Sequence, residues 1–117
     1  MSEWKPVKGY EGIYEVSSDG RVRSLDRIDS IGRRRKGIER KQFIVGDGYL
    51  QVRLNKGGIT TGKTIHRLVA AAFCDNDEGK PEVNHINCDK LDNRVENLEW
   101  VTTKENANHW RDLKRAA

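Results

Sequence analysis

The stretch from residue 82 to residue 110 concentrates imidazole and carboxamide side chains. It reads EVNHINCDKLDNRVENLEWVTTKENANHW and contains His85 and His109 among several asparagines. A histidine can take a proton from water near neutral pH, and side-chain oxygens are the ligands that hard divalent cations prefer. Together these groups could activate a water molecule and hold one cation against a phosphate.

The pattern of this stretch predicts two strands and a helix. A strand through Val83–His85 is followed by a long loop and by a second strand over Asn97–Val101. Thr102 and Glu105 have the spacing of a capping box, which predicts the start of a helix. Asn106 then falls in the first helical turn and faces the strands.

The first half of the chain predicts short antiparallel strands joined by glycine-containing turns. Apolar residues at helical spacing then predict a helix over His66–Cys74 that plugs the core. Gly32 and four consecutive basic residues make Ser30–Lys36 a predicted mobile arm or loop. The predicted strands flank turns at residues 18–20 and 46–48 and comprise Tyr14–Ser17, Val22–Leu25, Phe43–Val45 and Tyr49–Leu54.

Composition favours one compact domain, or two very small modules that share a core, because 117 residues bury little apolar surface. The formal net charge is +4, and residues 21–41 alone carry nine basic and three acidic side chains. More than the whole net charge therefore lies in this segment, which suits an anionic partner.

Cys74 and Cys88 lie far apart in the sequence without a Cys-x-x-Cys pairing, which argues against a zinc knuckle or a disulfide framework. We expect both to be free thiols. The sequence shows neither a charged leader followed by an apolar run nor a stretch long enough to span a membrane. These features predict a cytoplasmic protein without a membrane partner.

Two groups of motifs resemble the HNH nuclease family, in particular its small phage and intron-encoded members similar to homing endonucleases. Trp4–Ser17 with Gly20–Ser24 is similar to the DNA-binding module that precedes such nucleases. His66–Ala70 with Phe73, then Val83–Ile86, Asn97–Thr102 and Glu105-Asn106 resemble the nuclease part. The resemblance implies an α+β protein with a small antiparallel β-sheet module (residues 1–60) followed by a ββα-metal nuclease fold (residues 61–117).

Carried over position by position, the resemblance assigns the first motif histidine to His85, the central asparagine to Asn97 and the third position to Asn106. In close relatives the residue before the first histidine also binds metal, and here that residue is Asn84. Some of those relatives have aspartate at this position. The following loop reads Ile86-Asn87-Cys88-Asp89 and departs from a frequent Ile-Asp-Gly-Asn pattern.

These groups predict a mechanism of phosphodiester hydrolysis. His85 would deprotonate a water aligned with the P–O3′ bond. A cation held by Asn84 and Asn106, most plausibly Mg²⁺ or Mn²⁺ and not a structural zinc, would stabilise the developing charge. The products would carry 5′-phosphate and 3′-hydroxyl ends. Asn97 closes the loop, where an amide that both donates and accepts can tie backbone groups together.

Two further histidines and an asparagine have open or supporting roles. His66 is interpreted as structural or as a support for the site, because it heads the apolar helix. His109 follows Asn106 by three residues and so lies on a similar face of the helix. Two interpretations of His109 have about equal weight: it assists in binding phosphate or metal, or it is a solvated surface residue. Asn93 is interpreted as a local turn former.

The basic residues are predicted to bind the phosphates of double-stranded DNA, although runs of charge are often only solvated faces. Such contacts supply affinity and positioning rather than a sequence code. An arginine-rich arm could enter a narrow minor groove. The predicted DNA contacts are Arg21, Arg23, Arg27, Arg33, Arg34, Arg35, Lys36, Arg40, Lys41, Arg53 and Arg67.

The main hypothesis is therefore a phage or mobile-element HNH endonuclease that nicks DNA in a bacterial host's cytosol. The alternative from another class is a non-catalytic DNA-binding protein that has kept the fold. Nicking of RNA or branched DNA is a third possibility. The sequence leaves monomer and homodimer open: a monomer predicts nicking, whereas a dimer could produce double-strand breaks.

Overall fold

The computed structural model describes residues 2–116, with side chains through Arg111. Antiparallel strands occupy the first half, and a helix, a hairpin and a second helix follow. The strands are β1 (Trp4–Pro6), β2 (Tyr14–Ser17), β3 (Val22–Ser24), β4 (Arg27–Ile28), β5 (Arg34–Arg35), β6 (Phe43–Ile44), β7 (Leu50–Lys56), β8 (Ile59–Thr64), β9 (Glu82–His85) and β10 (Leu98–Val101), and the helices are α1 (Ile65–Phe73) and α2 (Thr103–Ala116). This arrangement confirms the predicted α+β fold class.

The first sheet has the order β1-β2-β3 and confirms the hairpin predicted around residues 18–20. Val16 lies opposite Val22, and both side chains are fully buried. On the other face Glu15 lies opposite Arg23 and accepts its guanidinium hydrogen bond at 2.7 Å. One face of this sheet is therefore apolar and the other is charged, as the alternation of residues predicts.

The second sheet has the order β6-β7-β8 and confirms the hairpin predicted around residues 46–48. Val52 and Leu54 of β7 are buried while Arg53 is exposed. β8 was not predicted, because its Ile-Thr-Thr-Gly-Lys-Thr sequence lacks the apolar alternation that marks a half-buried strand. It forms because every residue from Ile59 to Thr64 pairs with β7.

Residues 27–35 form a β-hairpin, here called the arm. Residues 30–33 of the predicted arm or loop lie in its turn, whereas Arg34 and Arg35 belong to a strand that was not predicted. Arg27 pairs with Arg35 and Ile28 pairs with Arg34. The tip is ordered by Asp29, whose carboxylate accepts from the backbone N–H groups of Ile31 and Arg33 at 3.1 and 2.9 Å. These local hydrogen bonds give the basic segment a defined turn.

The core is built around α1, which confirms the predicted plug helix with ends shifted by one residue. Ile65, Val69 and Ala70 are buried on this helix. They join one apolar cluster that includes residues of β2, β3, β7, β9 and β10. The expected module boundary at residue 60 falls inside β8, and the division into two modules stays a prediction.

The last part of the fold is the antiparallel pair β9–β10 followed by α2, and it confirms the predicted order of strand, strand and helix. His85 lies opposite Leu98, and Asn84 lies opposite Glu99. The capping box is present: Glu105 N donates to Thr102 Oγ1 at 3.1 Å, and Thr102 N donates to Glu105 Oε1 at 2.9 Å. These bonds fix the start of α2 beside the hairpin.

Within the described range, residues 2–116, neither helix combines the length and apolar character that crossing a membrane requires. Cys74 and Cys88 are both free thiols, as predicted.

Candidate active site

His85 is the last residue of β9 and is 1% exposed. Its ring packs against His66 of α1, with 5.0 Å between ring centroids, and against Tyr49, at 5.8 Å. Tyr49 and His66 stack on each other at 4.8 Å. The three rings form an aromatic cluster in which β9, α1 and the start of β7 together fix the plane of the His85 imidazole.

A hydrogen bond orients His85 within this cluster. Its Nε2 lies 2.7 Å from Asn93 Oδ1, and a carboxamide oxygen can only accept. Nε2 therefore carries the hydrogen, and the lone pair of the neutral ring is on Nδ1. Asn93, interpreted from sequence as a local cap or turn former, therefore also orients His85.

Asn93 is itself held by the first sheet. A Cβ at Gly20 would lie 2.9 Å from Asn93 Cβ, so that only glycine fits against this side chain without a shift. Beside it, Val95 N donates to Ser18 O at 2.8 Å. The turn between β2 and β3 thus braces the loop that orients His85. A glycine at position 20 is compatible with close packing of another segment against the turn, but the sequence does not show that this segment contains Asn93.

Asn97 joins the two ends of the loop between β9 and β10. Its Oδ1 accepts from Asn87 N, and its Nδ2 donates to Asn87 Oδ1 and Asp92 O, each at 2.9 Å. Ile86 N also donates to Asn97 O at 2.8 Å. These are the bonds expected of a residue that ties loop backbone together, and they place Asn97 as a support for the neighbouring His85.

Asp92 strengthens the same loop. The Arg94 guanidinium donates to both carboxylate oxygens at 2.8 Å, and Asn87 Nδ2 donates to Oδ2 at 2.9 Å. The hydrogen bonds from Arg94, and to a lesser degree that from Asn87, hold the pKa of the Asp92 carboxyl well below its usual range. The carboxylate is therefore ionised at neutral pH and keeps these contacts.

Asn84 of β9 and Asn106 of α2 each carry a buried acceptor oxygen. Asn84 is 2% exposed, and its Nδ2 donates to Glu99 Oε1 at 3.0 Å. Its Oδ1, like Asn106 Oδ1, is buried without a hydrogen-bond partner among the described residues. We call these atoms the two site oxygens. Buried polar atoms are normally paired, and leaving one without a partner costs about 1–3 kcal/mol.

The two site oxygens fit a hard cation, because oxygen ligands with spare lone pairs are what Mg²⁺ and Mn²⁺ bind. Residues 2–116 contain no cluster of three or more His, Cys, Asp or Glu side chains able to hold a metal ion. The two site oxygens could contribute to the coordination of a cation, with phosphate and solvent oxygens as further ligands.

Asn84 also lines an open cleft of about 400 Å³ between the hairpin and α2, together with Glu99, Glu105 and His109. His109 Nε2 lies 3.2 Å from Cys88 Sγ in the loop. Cys88 has φ +63°, the left-handed conformation that glycine adopts most readily. The structure thus brings His109 to the same cleft as Asn84, and its role there stays a prediction.

Five of the predicted DNA-contacting arginines make intramolecular hydrogen bonds, and two of them, Arg33 and Arg35, donate to Asp29 Oδ2 at 3.3 and 3.0 Å. Arg21 pairs with Asp19 and Glu39, and Arg23 pairs with Glu15 while lying 3.9 Å above the Trp4 ring. Arg67 donates to Pro81 O at 3.1 Å, and it lies 5.7 Å from the Trp100 ring. These contacts leave each guanidinium with fewer free donors for a ligand.

Most of the other predicted contacts lie at the arm and on the second sheet. A basic cleft of about 400 Å³ opens at the root of the arm, and its lining in the described chain includes no acidic residue. Arg40 Nε is buried without a hydrogen-bond partner in residues 2–116. On the second sheet Lys41 and Arg53 lie 5.7 and 5.9 Å from the ring of Phe43. The basic residues that line the cleft are Arg27, Arg34, Arg35, Lys36 and Arg40.

Lys90, which was not singled out from sequence, connects the loop between β9 and β10 to the β6–β7 turn of the second sheet. Its Nζ donates to Asp47 O at 2.6 Å and lies 4.7 Å from the Tyr49 ring. It also lies 5.7 Å from the ring of Trp110 on α2. A single lysine in a loop carries no sequence signal for such a bridge.

Comparison with known proteins gives matches for both halves of the chain. Residues 3–55 match the NUMOD4 motif, and residues 63–108 match the HNH endonuclease family. The chain is 43% identical over 106 residues to the DNA endonuclease I-HmuI of Bacillus phage SP01, which covers 89% of this chain and 55% of the relative. It is 44% identical over 72 residues to a Bacillus subtilis SPbeta prophage-derived putative HNH homing endonuclease, YosQ, covering 60% of this chain and 41% of the relative.

A solved structure, described as DNA binding and cleavage by the HNH homing endonuclease I-HmuI, superposes on this chain with a TM-score of 0.80 at 38% identity. The match covers 96% of this chain and 59% of the solved chain. The chain spans between 25% and 55% of the length of the curated relatives that it matches.

We predict that His66 makes stability depend on pH. Burial, with smaller contributions from His85 and Arg67, lowers the pKa of His66 to about 4. Between about pH 6.5 and pH 4 the unfolded chain therefore binds a proton here that the folded chain does not. The stability conferred by the neutral ring is full above about pH 6.5 and is lost as the pH falls toward 4.

His66→Phe keeps an aromatic ring in the stack and removes this titration. Between about pH 7 and pH 5 the wild type should lose about 2 kcal/mol more unfolding free energy than the variant, measured by urea unfolding. Equal losses in the two proteins would show that His66 titrates normally in the folded state.

Proposed function

Because this chain belongs to the HNH endonuclease family and carries an N-terminal NUMOD4 motif, we propose that it is a metal-dependent endonuclease that nicks double-stranded DNA. The observation that carries this proposal is the pair of site oxygens: Asn84 Oδ1 on β9 and Asn106 Oδ1 on α2, two elements that pack against each other, are each buried without a hydrogen-bond partner in the described chain. A bound cation would explain these two atoms, because it would supply the partner that each buried oxygen lacks. The products would carry 5′-phosphate and 3′-hydroxyl ends.

His85 is the proposed general base. Its Nε2 forms the hydrogen bond to Asn93, so that Nδ1 is the atom that would accept a proton from water. The stack with Tyr49 and His66 restricts rotation of the ring. His66 itself stays neutral near pH 7, because its pKa is lowered to about 4, and so it places no positive charge against the base.

Asn84 and Asn106 are the proposed metal-binding residues. When bound, a Mg²⁺ or Mn²⁺ ion would supply Lewis-acid stabilisation of the charge on the phosphate and the leaving 3′ oxygen. Asn84 is positioned by its hydrogen bond to Glu99, and Asn106 is positioned by the first turn of α2. Asn97 contributes by holding the loop closed rather than by touching the substrate.

The first part of the chain is the proposed DNA-binding module. Five basic side chains line one cleft at the root of the arm, where they could neutralise DNA phosphates. The proposed modules are residues 1–60 for binding and residues 61–117 for cleavage. Relatives named as a phage endonuclease and a prophage-derived endonuclease support DNA as the substrate and the cytosol of a bacterial host as the location.

The first experiment tests the role of His85. His85→Ala should abolish nicking of supercoiled plasmid in Mg²⁺ or Mn²⁺ while plasmid binding persists in chelator, because the imidazole acts on water and not on the duplex. His85→Phe, which keeps a ring against Tyr49 and His66, should behave in the same way and separates chemistry from packing. The readouts are the rate of nicked-circle formation and a gel-shift titration.

Binding that falls as much as nicking in both variants would remove His85 from the role of base. A wild-type protein that binds DNA but nicks at no metal concentration would instead favour the non-catalytic DNA-binding protein. The order of products also bears on the oligomeric state, since nicked circles before linear DNA indicate a monomer acting on one strand at a time.

The second experiment tests the metal-binding residues. An anionic oxygen binds a hard cation more strongly than an amide oxygen, so Asn84→Asp should lower the Mg²⁺ or Mn²⁺ concentration for half-maximal nicking. Asn106→Ala should raise that concentration or eliminate activity. Both values come from nicking rates over a metal titration.

Asn55→Asp is the matched control, because it makes the same substitution at an exposed position of β7. It should leave the metal requirement unchanged. If Asn84→Asp and Asn55→Asp shift the requirement equally, the effect is one of overall charge and Asn84 does not bind the cation.

A further inference from the structure

The arm has a tip of fixed conformation. Asp29 N donates to Arg33 O at 2.9 Å, and Gly32 N donates to Asp29 O at 3.0 Å. Gly32 has φ +82°, which a three-residue hairpin loop requires at this position. With the Asp29 carboxylate accepting two further backbone hydrogen bonds, the tip residue Ile31 is presented on a defined turn.

The side chains at this tip are large, apolar and exposed. Ile31 is 69% exposed and Ile28 is 70% exposed. Turn positions are usually occupied by Gly, Asn, Asp or Ser, which tolerate solvent and favour the turn. An exposed isoleucine at the tip of a basic hairpin is not required by the fold and is available to a partner.

The root of the arm is fastened to β3. Gly37 N donates to Asp26 Oδ1 at 2.6 Å, and Ser24 N donates to Ile38 O at 2.8 Å. A Cβ at Gly37 would lie 2.3 Å from Ser24 O, so that any larger residue would push the two segments apart. The arm therefore leaves the first sheet in a set direction, and the whole molecule is elongated at 58 × 29 × 29 Å.

The positive charge of the cleft at the arm root indicates that the partner of the arm is an anionic molecule. The basic cleft lies at the arm root, where its side chains can bind phosphates. Isoleucine at the tip has no group that could hydrogen-bond to a phosphate or a base edge. Apolar side chains that enter the minor groove act on DNA as wedges that partly unstack a base step and bend the duplex.

We infer that the arm enters the minor groove of double-stranded DNA and that Ile31 is a wedge that opens a base step. This inference rests on the proposed function, because it takes DNA as the ligand. It adds a deformation of the DNA that charge contacts alone would not produce. Deformation of this kind lets a protein prefer flexible steps without reading base edges.

The test measures unwinding of plasmid DNA, which needs no knowledge of the target site. Relaxed plasmid is incubated with the protein in chelator, treated with a metal-independent topoisomerase, stripped of protein and resolved by gel. Wild type should shift the topoisomers toward negative supercoiling in proportion to the amount bound. Ile31→Ser should bind to the same saturation and lose most of the shift.

Ile59→Ser is the matched control, because Ile59 is also 70% exposed and follows the turn of another hairpin. It should keep the wild-type shift. A shift in Ile31→Ser equal to that of wild type at equal saturation would overturn the wedge, as would wild-type binding without any shift. A change in sedimentation of Ile31→Ser without DNA would overturn it in favour of self-association through the tip.

Failure of the inference can be told apart from failure of the proposed function. If wild type nicks plasmid in Mg²⁺ or Mn²⁺ but unwinds none in chelator, the wedge is wrong and the endonuclease assignment stands. If wild type neither binds nor nicks plasmid, both are wrong.

Discussion

The hydrogen bond between His85 Nε2 and Asn93 Oδ1 is the contact on which the proposed chemistry depends. It decides which ring nitrogen has the free lone pair, and it does so from a loop that would otherwise have no fixed shape. Three separate sets of contacts hold the loop in the conformation that allows this hydrogen bond. Asn97 ties the loop ends together, Arg94 and Asp92 clamp its middle, and the turn at Gly20 braces Asn93 from the first sheet. The β2–β3 turn therefore supports the site as well as belonging to the proposed DNA-binding module.

Burial of His66 and His85 matters to the proposed function, because it limits the positive charge beside the proposed general base. His66 and Tyr49 pack against His85, and burial keeps His66 neutral near pH 7. On the neighbouring side of β9, amide oxygens rather than carboxylates provide the candidate cation ligands. Neutral ligands bind a hard cation less strongly, so phosphate oxygens of the DNA would have to supply part of the coordination. Under this proposal, cation binding and DNA binding are coupled.

Much of the fold could be predicted from sequence, because the relevant signals are local. The glycine turn at residues 18–20, the helical spacing in α1 and the capping box at Thr102 each act within a few residues. The predictions failed where a tertiary contact decides the structure. β8 forms by pairing and not by its own pattern, and Asn93 acquires its role only because β9 brings His85 to it. The arm is an intermediate case, since Asp29 and Gly32 are local turn signals that its run of basic residues obscured.

The tautomer of His85 can be measured without DNA or metal, because ¹⁵N NMR of imidazole-labelled protein at about pH 7.5 distinguishes a protonated from an unprotonated ring nitrogen. We expect a hydrogen on Nε2 and a free lone pair on Nδ1, with a mixture of tautomers in Asn93→Ala. A hydrogen on Nδ1 in the wild-type protein, or a tautomer that Asn93→Ala leaves unchanged, would contradict this expectation.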